Sequence, residues 1–145
     1  MKPLQIKVLS FDEAKFEYNE KIGELSQEIL SDIRIIFDPI LSYREGINTV
    51  GLQLTVNYLF KSTPILSYGV SMTVAIDEYI QAQAKGTTIE EFMKDEEIRV
   101  QLFDLVKGFL RGCMAIRAKH TPVAKLFLPV FDSSNMAKQI KIMQQ

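Results

Sequence analysis

Few side chains in this sequence could act as a nucleophile, a general base or a metal ligand. The 145 residues include one histidine, His120, and one cysteine, Cys113, and no nucleophile or ligand set stands beside either of them. Cys113 falls on an apolar helical stripe, where it is expected to behave as a small buried hydrophobe. His120 follows Lys119 at the predicted end of that helix, where a cation suits the helix dipole. Because no Walker loop, dinucleotide fingerprint or nucleophile elbow is present, the sequence predicts no enzyme, no metal and no cofactor.

Two carboxylates near the N-terminus, Glu13 and Glu17, lie on one predicted strand. They could dock a basic surface of a partner. Surface carboxylates are more often simply solvated, so both interpretations stay open.

The overall composition is that of an ordinary globular domain. Hydrophobic residues make up 47% of the chain and charged residues 24%, and the formal net charge is −1. A near-neutral chain without basic runs lacks the basic surface that nucleic acid requires. No apolar run approaches the roughly 20 residues of a membrane helix, and residues 1–10 alternate in polarity, unlike a signal peptide. We expect a single domain over residues 1–145, cytoplasmic and without membrane insertion.

The first half of the chain alternates apolar and polar residues with a period of two, which is typical of half-buried antiparallel strands. The predicted strands run from Leu4 to about Tyr18, from near Ser31 to Tyr43, from 50 to 60 and from 66 to 76. The alternation slips at Leu9, which indicates a bulge. Pro39 requires a bulge, a bend or a sheet edge.

The second half has helical periodicity. One apolar stripe runs along a long predicted helix through Ile98, Leu102, Leu105, Phe109, Cys113 and Ile116. Thr88 begins a capping box for a short helix before it. Prolines make residues 126–131 a loop, and Asp132 caps a last short helix that carries Met136 and Ile140. Strands followed by helices predict an α+β fold, a four-stranded antiparallel sheet followed by a long helix, a loop and a short C-terminal helix.

Four short segments, taken in order, resemble the SecB family of protein-export chaperones. Residues 4–17 resemble the family's first strand, and residues 63–66 resemble the start of its fourth strand. Leu102-Phe103 matches the Leu-Phe that opens its long helix. Residues 126–131 resemble its Leu-Asn-Leu-Ala-Pro-Val-Asn-Phe segment. The resemblance covers about the whole chain.

Two positions depart from the family pattern. Asp104 stands where the family has a proline after Leu-Phe. Tyr68 aligns with a glutamate in strand four that helps to dock the SecA motor. The resemblance therefore implies the SecB-like fold more directly than a role in SecA-driven export.

By resemblance, the protein is an ATP-independent holdase that binds non-native polypeptides in apolar grooves and assembles as a dimer of dimers. The groove would lie between the proline-interrupted strand and the segment before the last helix. The candidate client-binding residues are Phe37, Ile40, Leu41, Tyr43, Leu126, Phe127, Phe131 and Met136. Each group has a structural alternative: residues 37–43 as core under a bulged strand, and residues 126–131 as a loop packed back onto the sheet.

Gly108 and Gly112 are one turn apart on the long predicted helix. Small residues at this spacing allow helices to cross closely, and by resemblance they would lie where the long helices of two dimers meet. The alternative is that one glycine merely fits the helix onto the sheet.

Three functions stay open at the level of sequence. The first is a holdase for unfolded chains or preproteins, with or without a SecA-type motor. The second is an oligomeric partner or chaperone of a toxin–antitoxin system. The third is a small-ligand-binding protein with a cleft over the sheet, which the shortage of clustered histidine, cysteine and inward carboxylates disfavours.

Overall fold

The computed structural model describes residues 2–129 and 131–145. Within these residues the chain forms five strands: β1 (Ile6–Tyr18), β2 (Ile33–Tyr43), β3 (Thr49–Phe60), β4 (Thr63–Ile76) and β5 (Lys141–Gln144). They make one sheet in the order β1-β4-β3-β2-β5. Neighbouring strands are antiparallel except β5, which lies parallel to β2.

The prediction of four antiparallel strands is wrong, because the sheet has a fifth strand and is mixed. The last helix ends at Ala137 and does not reach Ile140. Residues 141–144 then pair with β2. A strand of four residues is too short for period-two alternation to stand out in the sequence.

The helices that the described residues form are α1 (Gln27–Ser31), α2 (Asp77–Ala84), α3 (Ile89–Phe92), α4 (Glu96–Ala118) and α5 (Ser133–Ala137), with a 3₁₀ turn at Glu20–Ile22. The predicted order of strands followed by a long helix is confirmed. So is the cap at Thr88, whose hydroxyl accepts a hydrogen bond of 3.2 Å from the backbone N–H of Glu91. The sequence did not predict α2, because it follows β4 directly and has no side-chain cap.

The two predicted strand irregularities have different outcomes. The pairing of β1 with β4 shifts register between Val8 and Ser10, so the bulge at Leu9 is confirmed. Pro39 causes no bulge, since β2 pairs with β3 in unbroken register and Pro39 lies opposite Leu54. β5 begins to pair only at Ile40, so Pro39 lies where β2 is an edge strand, a position that tolerates the missing N–H.

The core lies between one face of the sheet and α4. Alternate residues of β3 and β4, among them Leu52, Leu54, Val70 and Met72, are buried on this face. Their sequence neighbours on the opposite, open face are mostly polar or small and half-buried. The open face therefore carries little of the apolar packing.

The long helix buries a different stripe from the predicted one. Its buried residues are Ile98, Leu102, Phe103, Val106, Leu110, Met114 and Ala118. The predicted stripe shares the first two and then diverges, leaving Phe109 38% and Ile116 79% exposed. Two apolar stripes with helical spacing start from the same residues, and periodicity alone does not say which one meets the sheet.

Candidate functional site

An exposed phenylalanine marks the segment before α5. Leu126 and Leu128 are buried, whereas Phe127 between them is 77% exposed. The hydroxyl of Tyr58, on β3 in the core, donates a hydrogen bond of 3.1 Å to the backbone carbonyl of Phe127. Burial raises the pKa of the Tyr58 hydroxyl, so it remains a donor at neutral pH. The backbone is thus tied to the core while the Phe127 side chain faces solvent.

The same segment is held from the other side by α4. Arg111 donates a hydrogen bond of 3.0 Å to the carbonyl of Pro129. The Lys107 ammonium donates bonds of 3.4 Å to the carbonyl of Phe131 and 2.7 Å to the hydroxyl of Ser133. With the Tyr58 bond at Phe127, these bonds hold what we call the phenylalanine loop, residues 126–129 and 131, at Phe127, Pro129 and Phe131.

The phenylalanine loop reaches β2 through an aromatic pair. The ring centroids of Phe131 and Phe37 are 4.2 Å apart, and the rings are tilted by 32°. Lys107 lies 4.7 Å from the centroid of the Phe131 ring, within the range of a cation–π contact. Both phenylalanines are half-buried and pack against the core.

Strand register shows how the loop runs. Tyr58, which bonds to the loop at Phe127, lies opposite Ile35 of β2, and Phe37 lies two residues further along the strand. The loop therefore follows β2 on the helix side of the sheet. Among the described residues, no strand pairs with Ile33–Pro39 on the side away from β3. The exposed Phe127, the Phe37–Phe131 pair and this open edge together form what we call the β2 groove.

The predicted client-binding residues do not form one surface. Phe37 and Phe131 are in ring contact, and Phe127 lies in the same loop as Phe131 with its side chain exposed. Leu41, Leu126 and Met136 are core residues with 0%, 6% and 3% exposure. Ile40 lies opposite Gln53 on the open face, away from Phe37. The proposed client role of these residues stays a prediction, and in this conformation the three buried side chains present almost no surface to a partner.

Tyr43 is engaged elsewhere. Its hydroxyl donates a hydrogen bond of 2.7 Å to the Glu90 carboxylate at the start of α3. This bond, with some desolvation, raises the pKa of Tyr43 to about 12, and it lowers the pKa of Glu90. The contact ties the end of β2 to α3.

Sequence reasoning missed two parts of the groove. One is the row of half-buried residues Ile33 and Ile35, which faces the loop side of β2. The other is the open backbone edge of β2, which depends on strand order. Alternation in residues 31–43 signalled the side chains, but no local pattern indicates which strand lies at the edge of a sheet.

The two candidate docking carboxylates differ in their surroundings. Glu13 accepts hydrogen bonds of 3.2 Å from both the Tyr68 hydroxyl and the Arg117 guanidinium. Arg117 also lies 4.4 Å from the centre of the Phe16 ring. Glu17 has a side chain that is 74% exposed, with Lys15 at 3.8 Å. Docking by either stays a prediction, and only Glu17 presents a carboxylate largely to solvent.

Tyr68, the position that aligns with the motor-docking glutamate, is a core residue with 1% exposure. Burial, and then the charge of Glu13, raise the pKa of its hydroxyl. The side chain therefore points into the molecule and stays protonated.

One face of α4 is largely uncovered by the described residues. Gly108 and Gly112 are exposed, and a methyl group added to either would meet no atom within 4 Å. Phe109 and Ile116, which continue this face, are 38% and 79% exposed. Phe109 contacts Phe11 of β1 at a ring distance of 4.8 Å. The glycines thus do not fit the helix onto the sheet, and their role in an oligomer stays a prediction.

The open face of the sheet holds a shallow concavity of about 470 Å³. Its lining includes the hydroxyls of Ser10, Ser42, Ser71 and Thr73 and the carboxylate of Asp12. None of the residues that line it is a histidine or a cysteine. The concavity offers hydrogen bonds and lies on the face opposite the β2 groove.

Residues with metal or nucleophile chemistry are dispersed. In the part of the chain that the structure describes, no group of three or more histidine, cysteine, aspartate and glutamate side chains is placed to hold a metal ion. Cys113 is a free, half-buried thiol. His120 is exposed just after α4, with a backbone φ of 68°. None of the described helices is long and apolar enough to span a bilayer.

Comparisons with known proteins give likenesses in structure alone. No family model and no curated protein matches the sequence. One similar solved structure is Mycobacterium tuberculosis Rv1957, a SecB-like chaperone in complex with a ChAD peptide from the Rv1956 HigA1 antitoxin. It is 8% identical over 88% of both chains, with a TM-score of 0.45. A Streptococcus agalactiae protein of unknown function is 12% identical over 88% of this chain and 98% of its own, with a TM-score of 0.34. At these values neither likeness assigns a function, which has to rest on the residues of this chain.

Proposed function

We propose that this protein is an ATP-independent holdase, a chaperone that binds extended segments of non-native polypeptide in the β2 groove. The observation that carries the proposal is the exposure of Phe127 from a loop that hydrogen bonds hold in place. Leaving a phenylalanine in water forgoes about 1.5–3 kcal/mol of burial energy. A loop fixed by Tyr58, Lys107 and Arg111 does not expose this side chain through looseness. A partner that covers Phe127 would recover that energy.

The neighbouring edge of β2 supports an extended occupant. Ile33–Pro39 has hydrogen-bonding capacity on one side, and at about 3.3 Å per residue this edge is about 23 Å long. An extended peptide can pair with such an edge and place alternate side chains in apolar pockets, here beside Ile35 and Phe37. Backbone pairing does not depend on the partner's sequence, which suits a protein with many clients.

The proposed holding activity involves neither nucleotide hydrolysis nor motor-driven export. The sequence carries no Walker motif. The position that would dock a SecA-type motor is the buried Tyr68, which is bonded to Glu13. We therefore propose a holding activity that needs neither ATP nor that contact.

Self-association is the second part of the proposal. The uncovered face of α4 combines two glycines with Phe109 and Ile116. Exposed apolar patches of this kind mark interaction sites on soluble proteins. We propose that this face contacts a second copy of the chain and leaves the β2 groove free.

Equilibrium binding of a permanently unfolded protein tests the client-binding proposal. A fluorescently labelled, reduced and carboxymethylated protein would be titrated with the wild type, with Phe127→Ser and with the control Ile47→Ser. Ile47 is also an exposed apolar residue, at 39%, but it lies in the β2–β3 turn. We expect Phe127→Ser to weaken binding by about tenfold or more, since the buried phenylalanine contributes at least about 1.5 kcal/mol. Equal binding by the wild type and Phe127→Ser would contradict the proposal.

The same titration separates this function from a dedicated toxin–antitoxin partner. A holdase binds several unrelated unfolded chains with similar affinities. Tight binding to one native or peptide partner, with no measurable affinity for the unfolded proteins, would favour the dedicated partner.

A further inference from the structure

The C-terminal residues of the chain already occupy part of the β2 edge. β5 pairs with β2 from Ile40↔Lys141 to Tyr43↔Gln144. The backbone N–H of Gln145 adds a hydrogen bond of 2.7 Å to the carbonyl of Tyr43. The tail is thus an extended peptide added to the same strand that borders the β2 groove, directly beyond Ile33–Pro39.

Few contacts hold β5 in place. It has four residues, three of them exposed, and Met143 is 51% exposed. Ile142 is its only half-buried side chain, beside the fully buried Leu41. The ion pair between Lys141 and Asp38 is long, at 3.9 Å, and exposed. A short strand with little burial belongs to the least stable part of a fold.

The helix before β5 is anchored much more firmly. Met136 and Ala137 of α5 are buried, with 3% and 1% exposure. Arg99 on α4 donates a hydrogen bond of 3.1 Å to the carbonyl of Ala137. Only residues 138–140 join this anchored helix to β5. β5 can therefore leave the sheet while α5 and the phenylalanine loop stay in place.

We propose that β5 is an intramolecular competitor for the client edge, which an extended client segment displaces from β2. This inference rests on the proposed holdase function. With β5 in place the open edge covers Ile33–Pro39, and without it the edge extends over all 11 residues of β2, or about 36 Å. The tail lowers client affinity because only the fraction of molecules with a released edge offers the full site.

Two variants of opposite effect test the competition. Ile142→Asp places a carboxylate against the apolar neighbourhood of Leu41 and is expected to release β5. Met143→Asp makes the same charge change on an exposed neighbour and serves as the control. Paired positions of neighbouring strands are close enough for a disulfide, so Ser42→Cys with Met143→Cys, in a Cys113→Ser background, locks β5 onto β2.

The readouts are affinity for the labelled unfolded protein and hydrogen exchange of the β2 and β5 amides. We expect the β5 amides of Ile142→Asp to exchange faster than those of the wild type. We also expect this variant to bind the client at least about threefold more tightly, because only a minority of wild-type molecules have β5 released. The locked variant should bind more weakly and recover when the disulfide is reduced. Met143→Asp should behave as the wild type.

Three results would overturn the inference. If the wild type binds the client and neither release nor locking changes its affinity, β5 is structural and the holdase function stands. If released molecules pair with each other and lose client binding, the occupant of this edge is a second copy of the chain. If no variant binds the client, the inference and the proposed function both fail. The locked variant can be measured before and after reduction in one sample. This comparison tests the competition even if Ile142→Asp does not fold.

Discussion

Single side chains decide what the β2 groove presents to solvent. Burial keeps the Tyr58 hydroxyl protonated, and this hydroxyl donates a hydrogen bond to the Phe127 carbonyl. Phe127 itself was predictable as a candidate, because a loop with two phenylalanines must bury them or present them. Its exposure, against the burial of Leu126 and Leu128, was not predictable, since it depends on a hydroxyl 69 residues away in sequence.

Removing that hydroxyl tests how the loop is held. We expect Tyr58→Phe to lower the free energy of unfolding by about 1 kcal/mol, because one buried hydrogen bond is lost. The Phe127 backbone should also become mobile and be cleaved faster by chymotrypsin. Urea unfolding and timed proteolysis measure the two effects. Tyr18→Phe, a half-buried tyrosine near the other edge of the sheet, is the control. Unchanged stability and unchanged cleavage would show that the bond does not hold the loop.

At the scale of elements, apolar periodicity predicted helix α4 but not which of its faces is buried. Its existence and approximate span followed from apolar periodicity. The choice between its two apolar stripes did not, because it depends on how α4 packs against β3 and β4, and Phe103 and Leu110 belong to the stripe that is buried. The stripe that is left over, with Phe109 and Ile116 exposed, is the feature on which the proposed contact with a second copy rests.

Replacing the two glycines on that face with alanine should raise the stability of the fold and weaken self-association. Beyond the backbone of α4 itself, alanine at Gly108 or Gly112 meets no atom of the described residues within 4 Å, so the double variant should gain up to about 1 kcal/mol per site from helix propensity. If the face contacts a second copy, the added methyl groups should at the same time weaken self-association. Thermal unfolding at low concentration and sedimentation at high concentration separate the two effects. Ile116→Ser, which does not add helix propensity, should weaken association alone. A more stable variant with unchanged association would remove the glycines from the interface.

In the sheet, alternation predicted the long strands but not the short fifth one. Four strands were evident from alternation, and so was the bulge at Leu9. β5 was not, because a strand of four residues carries almost no pattern, and its place depends on β2 being an edge. Pro39 was the one local hint of that edge, and its interpretation as an edge, a bulge or a bend needed the strand order.

At the scale of the whole molecule, the two edges of the sheet are unlike. β1, at one edge, shifts register twice and carries alternating charges such as Lys7, Asp12 and Lys15. Bulges and charges of this kind discourage pairing with another chain. β2, toward the other edge, pairs without a bulge, and its exposed apolar side chain is Ile36 at 42%. On the proposed function, this asymmetry would direct an extended client to β2 and leave the α4 face for a second copy.

The most direct test of the holdase proposal is suppression of aggregation without ATP. Two unrelated proteins would be unfolded by heat in the presence of the wild type, Phe127→Ser or Ile47→Ser, and light scattering followed. We predict that near-stoichiometric wild type and Ile47→Ser suppress aggregation of both proteins, and that Phe127→Ser suppresses neither well. Aggregation that proceeds unchanged in an excess of the wild type would contradict the account.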